Sequence, residues 1–275
     1  MKHDSVTMQI KPEAAQRLRD KVAVVTGGGG TNSIGRSISI RFAMEGARVA
    51  VTGRNAARVG AVADEITAGG GTALDIECDV RDLQACESMA ERVADTWGRI
   101  DILVNNAASF RGDITSVGQK PFNEWTPEEW DDMLRVNLRG QWFCARAVFP
   151  YMKGQGYGKI INVGSASLFE GTPGFPHYLA SKGAVLGLTR GLGKELGEYG
   201  IRVNTLAPGL ILTEATLDLI KGQPRNADHV LDQRAIKERH LVADDLAGPA
   251  VFLASEDSDM IACQTLVVDG GLVVW

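Results

Sequence analysis

Three side chains in this sequence have the types and spacing for proton transfer. Tyr178 and Lys182 stand four apart in Tyr178-Leu179-Ala180-Ser181-Lys182, and Ser165 precedes the tyrosine by thirteen residues. Pro176 to Glu198 reads as a helix, and helix positions i and i+4 share a face, so Lys182 is expected beside Tyr178. An ammonium near a phenol favours the phenolate and lowers a pKa that starts at about 10. Such a phenol can take a proton from an alcohol or give one to a ketone oxygen. Ser165 ends a predicted strand, in Asn162-Val163-Gly164-Ser165-Ala166-Ser167, and its hydroxyl can hydrogen-bond the same substrate oxygen. Tyr-x-x-x-Lys alone is common by chance, so its weight depends on context.

A second candidate site is Thr26-Gly27-Gly28-Gly29-Gly30-Thr31-Asn32-Ser33-Ile34-Gly35, which joins a predicted strand to a predicted helix. Glycines there admit positive φ and a close approach of a diphosphate to the backbone. The helix N-terminus adds unpaired N–H groups and a partial positive charge. Glycine runs also make plain turns, but this one follows the first strand and opens an amphipathic helix, the context a nucleotide site requires.

The elements around these sites alternate. Lys21 to Thr26, Ala47 to Thr52, Ala73 to Cys78, Asp101 to Asn105, Lys159 to Val163, Ile201 to Ala207 and Thr265 to Val268 read as strands. Between them Ile34 to Glu45, Ala56 to Ala68, Asp82 to Trp97, Thr126 to about Met152, Pro176 to Glu198 and Asp244 to Ala254 read as helices, and Thr213 to Arg239 as a polar helical stretch. Thr126-Pro127-Glu128-Glu129 carries the N-cap, the N1 proline and the first-turn acids of a helix start. Alternating units with apolar strands imply an α/β fold: a doubly wound, seven-stranded parallel sheet of Rossmann type with helices on both faces. No composition break divides the chain. Residues 1–20 read as an N-terminal extension and 21–275 as one domain, with a substrate loop over about 208–242.

The bulk numbers agree with a globular enzyme and exclude other classes. The chain has 275 residues, 44% hydrophobic and 23% charged, with a net charge of -5 that favours neither nucleic acid nor an anionic membrane. No apolar run is long enough to cross a bilayer, and the first twenty residues lack a secretory core, so a cytoplasmic location is expected. Cys78, Cys86, Cys144 and Cys263 form no C-x-x-C pair and read as reduced thiols. The four histidines have no metal-ligand spacing, so no metal site is expected.

The Gly-rich loop, the serine and the Tyr-x-x-x-Lys pair together resemble the short-chain dehydrogenase/reductase family, from about Lys21 to the end. That family usually has T-G-x-x-x-G-[IL]-G at the loop. Here Ile34-Gly35 come two residues late and Ser33 replaces the second glycine, so the loop should bulge and the Ser33 hydroxyl is expected to face a phosphate. The resemblance implies that Gly27, Ser33 and Ile34 hold the diphosphate of a nicotinamide dinucleotide. It implies an adenine contact at Asp79-Val80 and a cofactor contact at Asn106 in Asn105-Asn106-Ala107-Ala108. It also places Pro208, Gly209, Ile211 and Thr213 near the nicotinamide, and it makes Asn137 a fourth catalytic residue that holds a water linking Lys182 to solvent. Tyr178 and Lys182 would touch the cofactor as well as the substrate.

An acid at the end of the second strand usually holds a ribose 2′-hydroxyl, and an arginine a 2′-phosphate. Gly53 stands where the acid would be, followed by Arg54, so NADP(H) is favoured and NAD(H) is the alternative. The expected activity is hydride transfer between a secondary alcohol and a ketone, aromatic or alicyclic, in a pocket walled by Phe110, Leu168, Phe169, Phe175 and Leu217. The wide loop is similar to the enoyl reductase branch, which acts on C=C bonds. That branch, however, has six residues between its Tyr and Lys, where this chain has three. A non-catalytic NADP(H)-binding regulatory protein is the other alternative. The family implies a homotetramer, with Ala145, Ala147, Val148, Ala184, Leu188 and Leu192 as candidate contacts.

Overall fold

The computed structural model describes residues 16–109, 120–219 and 224–274. The chain runs β1 (Val22–Thr26), α1 (Ile34–Met44), β2 (Arg48–Gly53), α2 (Ala56–Ala68), β3 (Thr72–Glu77), α3 (Leu83–Trp97) and β4 (Ile102–Asn105). It continues with α4 (Pro127–Leu134), α5 (Gly140–Gln155), β5 (Gly158–Val163), α6 (Ser167–Glu170), α7 (Pro176–Leu196) and β6 (Ile201–Pro208). The last elements are α8 (Glu214–Leu219), α9 (Pro224–Gln233), α10 (Ala247–Ala254) and β7 (Thr265–Val268).

The seven strands form one sheet in the order β3-β2-β1-β4-β5-β6-β7, every pair parallel. All residues of β1, β4 and β5 are buried, as expected for central parallel strands covered on both faces. Alternation along β1 divides the core in two. Ala23 and Val25 pack with Ile38, Phe42, Val62 and Val251, so α1, α2 and α10 cover one face. Val22 and Val24 join the opposite cluster with Met89, Val93, Cys144 and Val148, which places α3 and α5 on the other. Strand order reverses between β1 and β4, and such a switch point is where doubly wound sheets bind ligands.

The structure departs from the sequence-based expectations in four places. The fold begins before Lys21: Leu18 is fully buried and its amide donates to the Glu45 carbonyl at 2.9 Å, while Arg17 pairs with the Glu45 carboxylate. The helix expected over Thr126 to Met152 is interrupted by a π-helical turn at Arg135–Arg139, so it becomes α4 and α5. The polar stretch from Thr213 contains two short helices, α8 and α9, and residues 220–223 lie outside the described residues. The helix expected over Asp244 to Ala254 starts with a 3-10 turn at Ala243–Leu246 before α10.

Candidate active site

Ser165 lies just past the carboxyl end of β5, and Tyr178 and Lys182 lie on the first turns of α7, which opens on Pro176. The i, i+4 geometry holds: the Lys182 ammonium is 5.7 Å from the centre of the Tyr178 ring. All three side chains are buried. A hydrogen bond from the Ser165 hydroxyl reaches Tyr178 and works against burial, which dominates and pushes the phenol pKa up to about 12. Ser165 is itself 2.6 Å from the Ser167 hydroxyl, so Ser167, Ser165 and Tyr178 form a short chain of hydroxyl groups.

Lys182 donates to the Val163 carbonyl at 2.8 Å, and burial pulls its pKa down to about 8. The i, i+4 spacing predicts that the lysine lowers the phenol pKa. Within the chain alone, burial of the phenol outweighs the lowering that its neighbours supply. Depressing the phenol therefore needs a further cation in the site.

Asn137 lies in the π-helical turn and is fully buried. One extra residue in the turn changes the direction of the side chain, and such turns recur at functional sites. Its amide brackets one residue after β4: the oxygen accepts from Ser109 N at 2.7 Å, and the nitrogen donates to Ser109 O at 2.9 Å and to Ser181 Oγ at 3.1 Å. Ser181 in turn donates to the Tyr178 carbonyl at 2.7 Å. Asn137 and Ser181 thus tie the β4 end to the catalytic turn of α7. Two contacts are not legible in the sequence, that of Ser167 with Ser165 and the tie of Ser181 to the Tyr178 carbonyl, although offsets of two and three residues are the available signals.

The Gly-rich loop is held from beneath. Gly27 has φ +68°, and a Cβ there would lie 2.9 Å from Ala107 Cα. A Cβ on Gly35 would lie 2.6 Å from both Gly27 O and Asn106 Nδ2. The Asn106 amide donates to the Thr26 carbonyl at 2.9 Å and to the Gly27 carbonyl at 3.1 Å, so it pins the loop to β4. Ser33 is the N-cap of α1: it accepts from Arg36 N at 3.3 Å and donates to the Gly30 carbonyl at 3.1 Å. In this structure its one proton goes to the Gly30 carbonyl, so the hydroxyl sits at the mouth of the loop. Half-buried Ile34 packs against the core, and the first turn of α1 has no acidic residue.

The remaining cofactor candidates follow the strand ends outward. Arg54 is exposed after β2, and its charge helps stabilise the Asp79 carboxylate. Burial would raise the Asp79 pKa, but hydrogen bonds from Arg81 hold it below the ordinary value. Val80 is buried against Gly140 at the start of α5. Pro208 ends β6, and a Cβ on Gly209 would lie 2.7 Å from Asp269 Cβ. Ile211 is buried and bridges to Leu241, and the Thr213 hydroxyl accepts from Thr216 N at 3.3 Å in α8. These groups run along one rim, from β2 across the switch point to β6. A tightly seated glycine loop, an acid-free helix N-terminus and an arginine past β2 fit a dinucleotide with a 2′-phosphate.

Of the expected pocket walls, Phe110 lies outside the described residues. Leu168, Phe169 and Phe175 are half-buried, and Leu168 reaches toward Gly183 of α7. Leu217 is exposed. His177, beside the tyrosine, is buried with its ring centroid 3.8 Å from that of Trp125. Among the described residues no cluster of His, Cys, Asp or Glu could hold a metal, and no helix is long and apolar enough to cross a membrane.

Residues 28–273 match the family described as enoyl-(acyl carrier protein) reductase. The chain is similar to a probable galactose dehydrogenase from Rhizobium meliloti (strain 1021), with 38% identity over 93% of this chain and 96% of the relative. It is also similar to the 2-dehydro-3-deoxy-D-gluconate 5-dehydrogenase of Escherichia coli (strain K12), with 34% identity over 94% of this chain and 97% of the relative. Among solved structures it resembles a gluconate 5-dehydrogenase from Burkholderia cenocepacia J2315 in complex with NADP and tartrate, at a TM-score of 0.85 and 34% identity over 94% of this chain and 97% of the other.

Proposed function

The chain belongs to the short-chain dehydrogenase/reductase family, and we propose that it is an NADP(H)-dependent oxidoreductase that interconverts a secondary alcohol and its ketone, with NAD(H) as the weaker cofactor. The observation that carries this reading is the hydrogen bond from Ser165 to the buried phenol of Tyr178, with Lys182 one helical turn away. Gly27, Ser33, Ile34 and Asn106 would hold the diphosphate region, Arg54, Asp79 and Val80 the adenosine end, and Pro208, Gly209, Ile211 and Thr213 the nicotinamide end. Bound there, the nicotinamide would supply or take up the hydride and, when oxidised, would add a positive charge beside the phenol.

The chain's own residues supply the rest. In ketone reduction Ser165 donates a hydrogen bond to the ketone oxygen, and Tyr178 gives that oxygen its proton. A phenol with a pKa of about 12 is fully protonated at neutral pH and is ready for this role. In alcohol oxidation Tyr178 must first lose its proton and then take the one on the alcohol. Lys182, anchored on Val163, would hold the ribose and carry protons between the phenol and a water beside Asn137.

A galactose dehydrogenase and a deoxygluconate dehydrogenase among the similar proteins support a small polyhydroxylated substrate, while a hydroxy(phenyl)methylsuccinyl-CoA dehydrogenase and a levodione reductase support the aromatic or alicyclic one anticipated from the sequence. A homotetramer in the cytoplasm completes the proposal. The half-exposed edge strand β7 and the outward Trp142 of α5 support the assembly. C=C reduction, the activity for which the matched family is described, is the second reading, and the Tyr-x-x-x-Lys spacing on one helix speaks against it.

The test is a panel of sugars, sugar acids, simple ketones and enoyl thioesters, assayed with NADPH and NADH in both directions. Turnover of a hydroxyl–carbonyl pair with NADPH is expected. Turnover of enoyl thioesters alone, or cofactor binding with no turnover, would overturn the proposal.

A further inference from the structure

The Gly-rich loop is two residues longer than the family pattern, and those residues have a partner across the sheet. Glu214 N donates to the Asn32 carbonyl at 3.0 Å, and Asn32 Nδ2 donates to the Leu212 carbonyl at 3.1 Å. The Thr31 hydroxyl donates to the Glu214 carboxylate at 3.3 Å. Arg58 of α2 closes the set: its Nη2 pairs with the same carboxylate, and its Nε donates to the Gly29 carbonyl at 2.9 Å. The far side is anchored too, since Leu212 N donates to the Leu241 carbonyl at 3.0 Å.

Sheet order gives this contact its meaning. Residues 31–32 follow β1 and residues 212–214 follow β6, and β4 and β5 lie between those strands. Three strand spacings put the two feet about 14 Å apart, so the contact arches over the ends of β4 and β5. Asn106 and Ser165 sit at those ends. Given the dinucleotide reading above, on which this step rests, a ligand seated on α1 and reaching from Arg54 to Tyr178 runs beneath the arch.

We infer that Thr31, Asn32, Arg58 and Glu214 form a clasp over the bound dinucleotide, so that the cofactor leaves only when the inserted residues and the Leu212–Glu214 turn part. The ion pair is suited to a reversible fastening. The Arg58 and Glu214 side chains are 45% and 46% exposed, and exposed pairs are weak and screened by salt. The clasp closes over the diphosphate common to both nicotinamide cofactors, so it acts on NADH and NADPH alike.

The test needs no substrate. Preformed enzyme–NADPH and enzyme–NADH complexes are chased with excess oxidised cofactor, and release is followed by nucleotide fluorescence in a stopped-flow instrument. Glu214→Gln should speed release about threefold. Deletion of Thr31 and Asn32, which removes the loop's hydrogen bonds to the turn, should speed it about tenfold or more. Both factors should be alike for the two cofactors. Added salt should speed NADH release from the wild type more than from Glu214→Gln, with NADH chosen because it lacks the 2′-phosphate that Arg54 would hold. Asn32→Gly, with an expected rise of about threefold, carries the test if the deletion variant does not fold. Release rates equal to or slower than wild type in Glu214→Gln and Asn32→Gly overturn the clasp alone. A wild type that binds neither cofactor overturns the proposed function and the clasp with it.

Discussion

Lys182 donates its hydrogen bond to the Val163 carbonyl at 2.8 Å, and its ammonium lies 5.7 Å from the centre of the Tyr178 ring. The lysine is thus tied to the last residue of β5, two positions before Ser165, while it stands over the face of the phenol. The strand end and the helix start are joined by one side chain, and the separation of acid and cation is set by that anchor.

Tyr178→Phe keeps the ring and removes the hydroxyl. Turnover should fall by about a hundredfold or more while cofactor binding persists. Fluorescence titration with NADPH beside steady-state rates separates the two effects. Near-normal turnover would remove the tyrosine from the mechanism.

The two pKa values set the pH dependence. Ketone reduction needs the proton on Tyr178, which burial holds there at neutral pH, so its rate should be flat from about pH 6 to about pH 8. Alcohol oxidation needs the phenolate, so its rate should rise with pH over the same range. Initial rates in both directions across one buffer series check this, and an oxidation rate that falls with pH would contradict it.

Burying the Lys182 ammonium costs stability. Its pKa falls from 10.5 to about 8 on folding, so between those values the unfolded chain carries more protons and stability rises with pH. Below about pH 8 the full cost is present. Lys182→Met should therefore raise the melting temperature at pH 7 by a few degrees, offset in part by the stranded Val163 carbonyl, and the gain should shrink above about pH 10. Activity should be lost. Scanning calorimetry at the two pH values reads the difference.

Arg54→Asp puts a carboxylate past β2. The Michaelis constant for NADPH should rise about tenfold or more and that for NADH should fall, because the new charge repels a 2′-phosphate and accepts from a 2′-hydroxyl. A wild type that already prefers NADH would refute the assignment.

Asn137→Ala removes the side-chain partner of both backbone groups of Ser109 and one of the two hydrogen bonds of the Ser181 hydroxyl. The loss should be about 2–4 kcal/mol in denaturant unfolding, with a fall in kcat larger than any change in KM for cofactor. Unchanged stability would separate Asn137 from the role its hydrogen bonds describe.

Assembly is read from what remains exposed. Ala145, Ala147 and Val148, expected from the sequence as intersubunit contacts, are buried inside the protomer, so the outward face of α5 is carried instead by Trp142 and Arg146. Light scattering of the wild type at micromolar concentration should give a tetramer, and Trp142→Glu a smaller species. A monomeric wild type would refute the assembly.

What the sequence determined by itself rests on local periodicity. Apolar runs bounded by glycines mark β1, β2 and β5, because central parallel strands must be apolar on both faces. Tyr178 and Lys182 share a face because a helix turns once in 3.6 residues, and the glycines of Gly27 to Gly35 mark a loop because Gly27 takes a positive φ and a Cβ on the others would press on its neighbours. The tertiary structure decided what depends on neighbours distant in sequence. Ser33 faces Gly30 because the bulged loop folds back on its own cap, and Asn137 reaches Ser109 because a π-helical turn redirects it. Ala145 and Val148 point inward because α5 packs on α3, which periodicity along α5 alone does not reveal. The contact between residues 31–32 and 212–214 exists only because the sheet order places β1 and β6 on either side of the site, and strand order is a property of the whole chain.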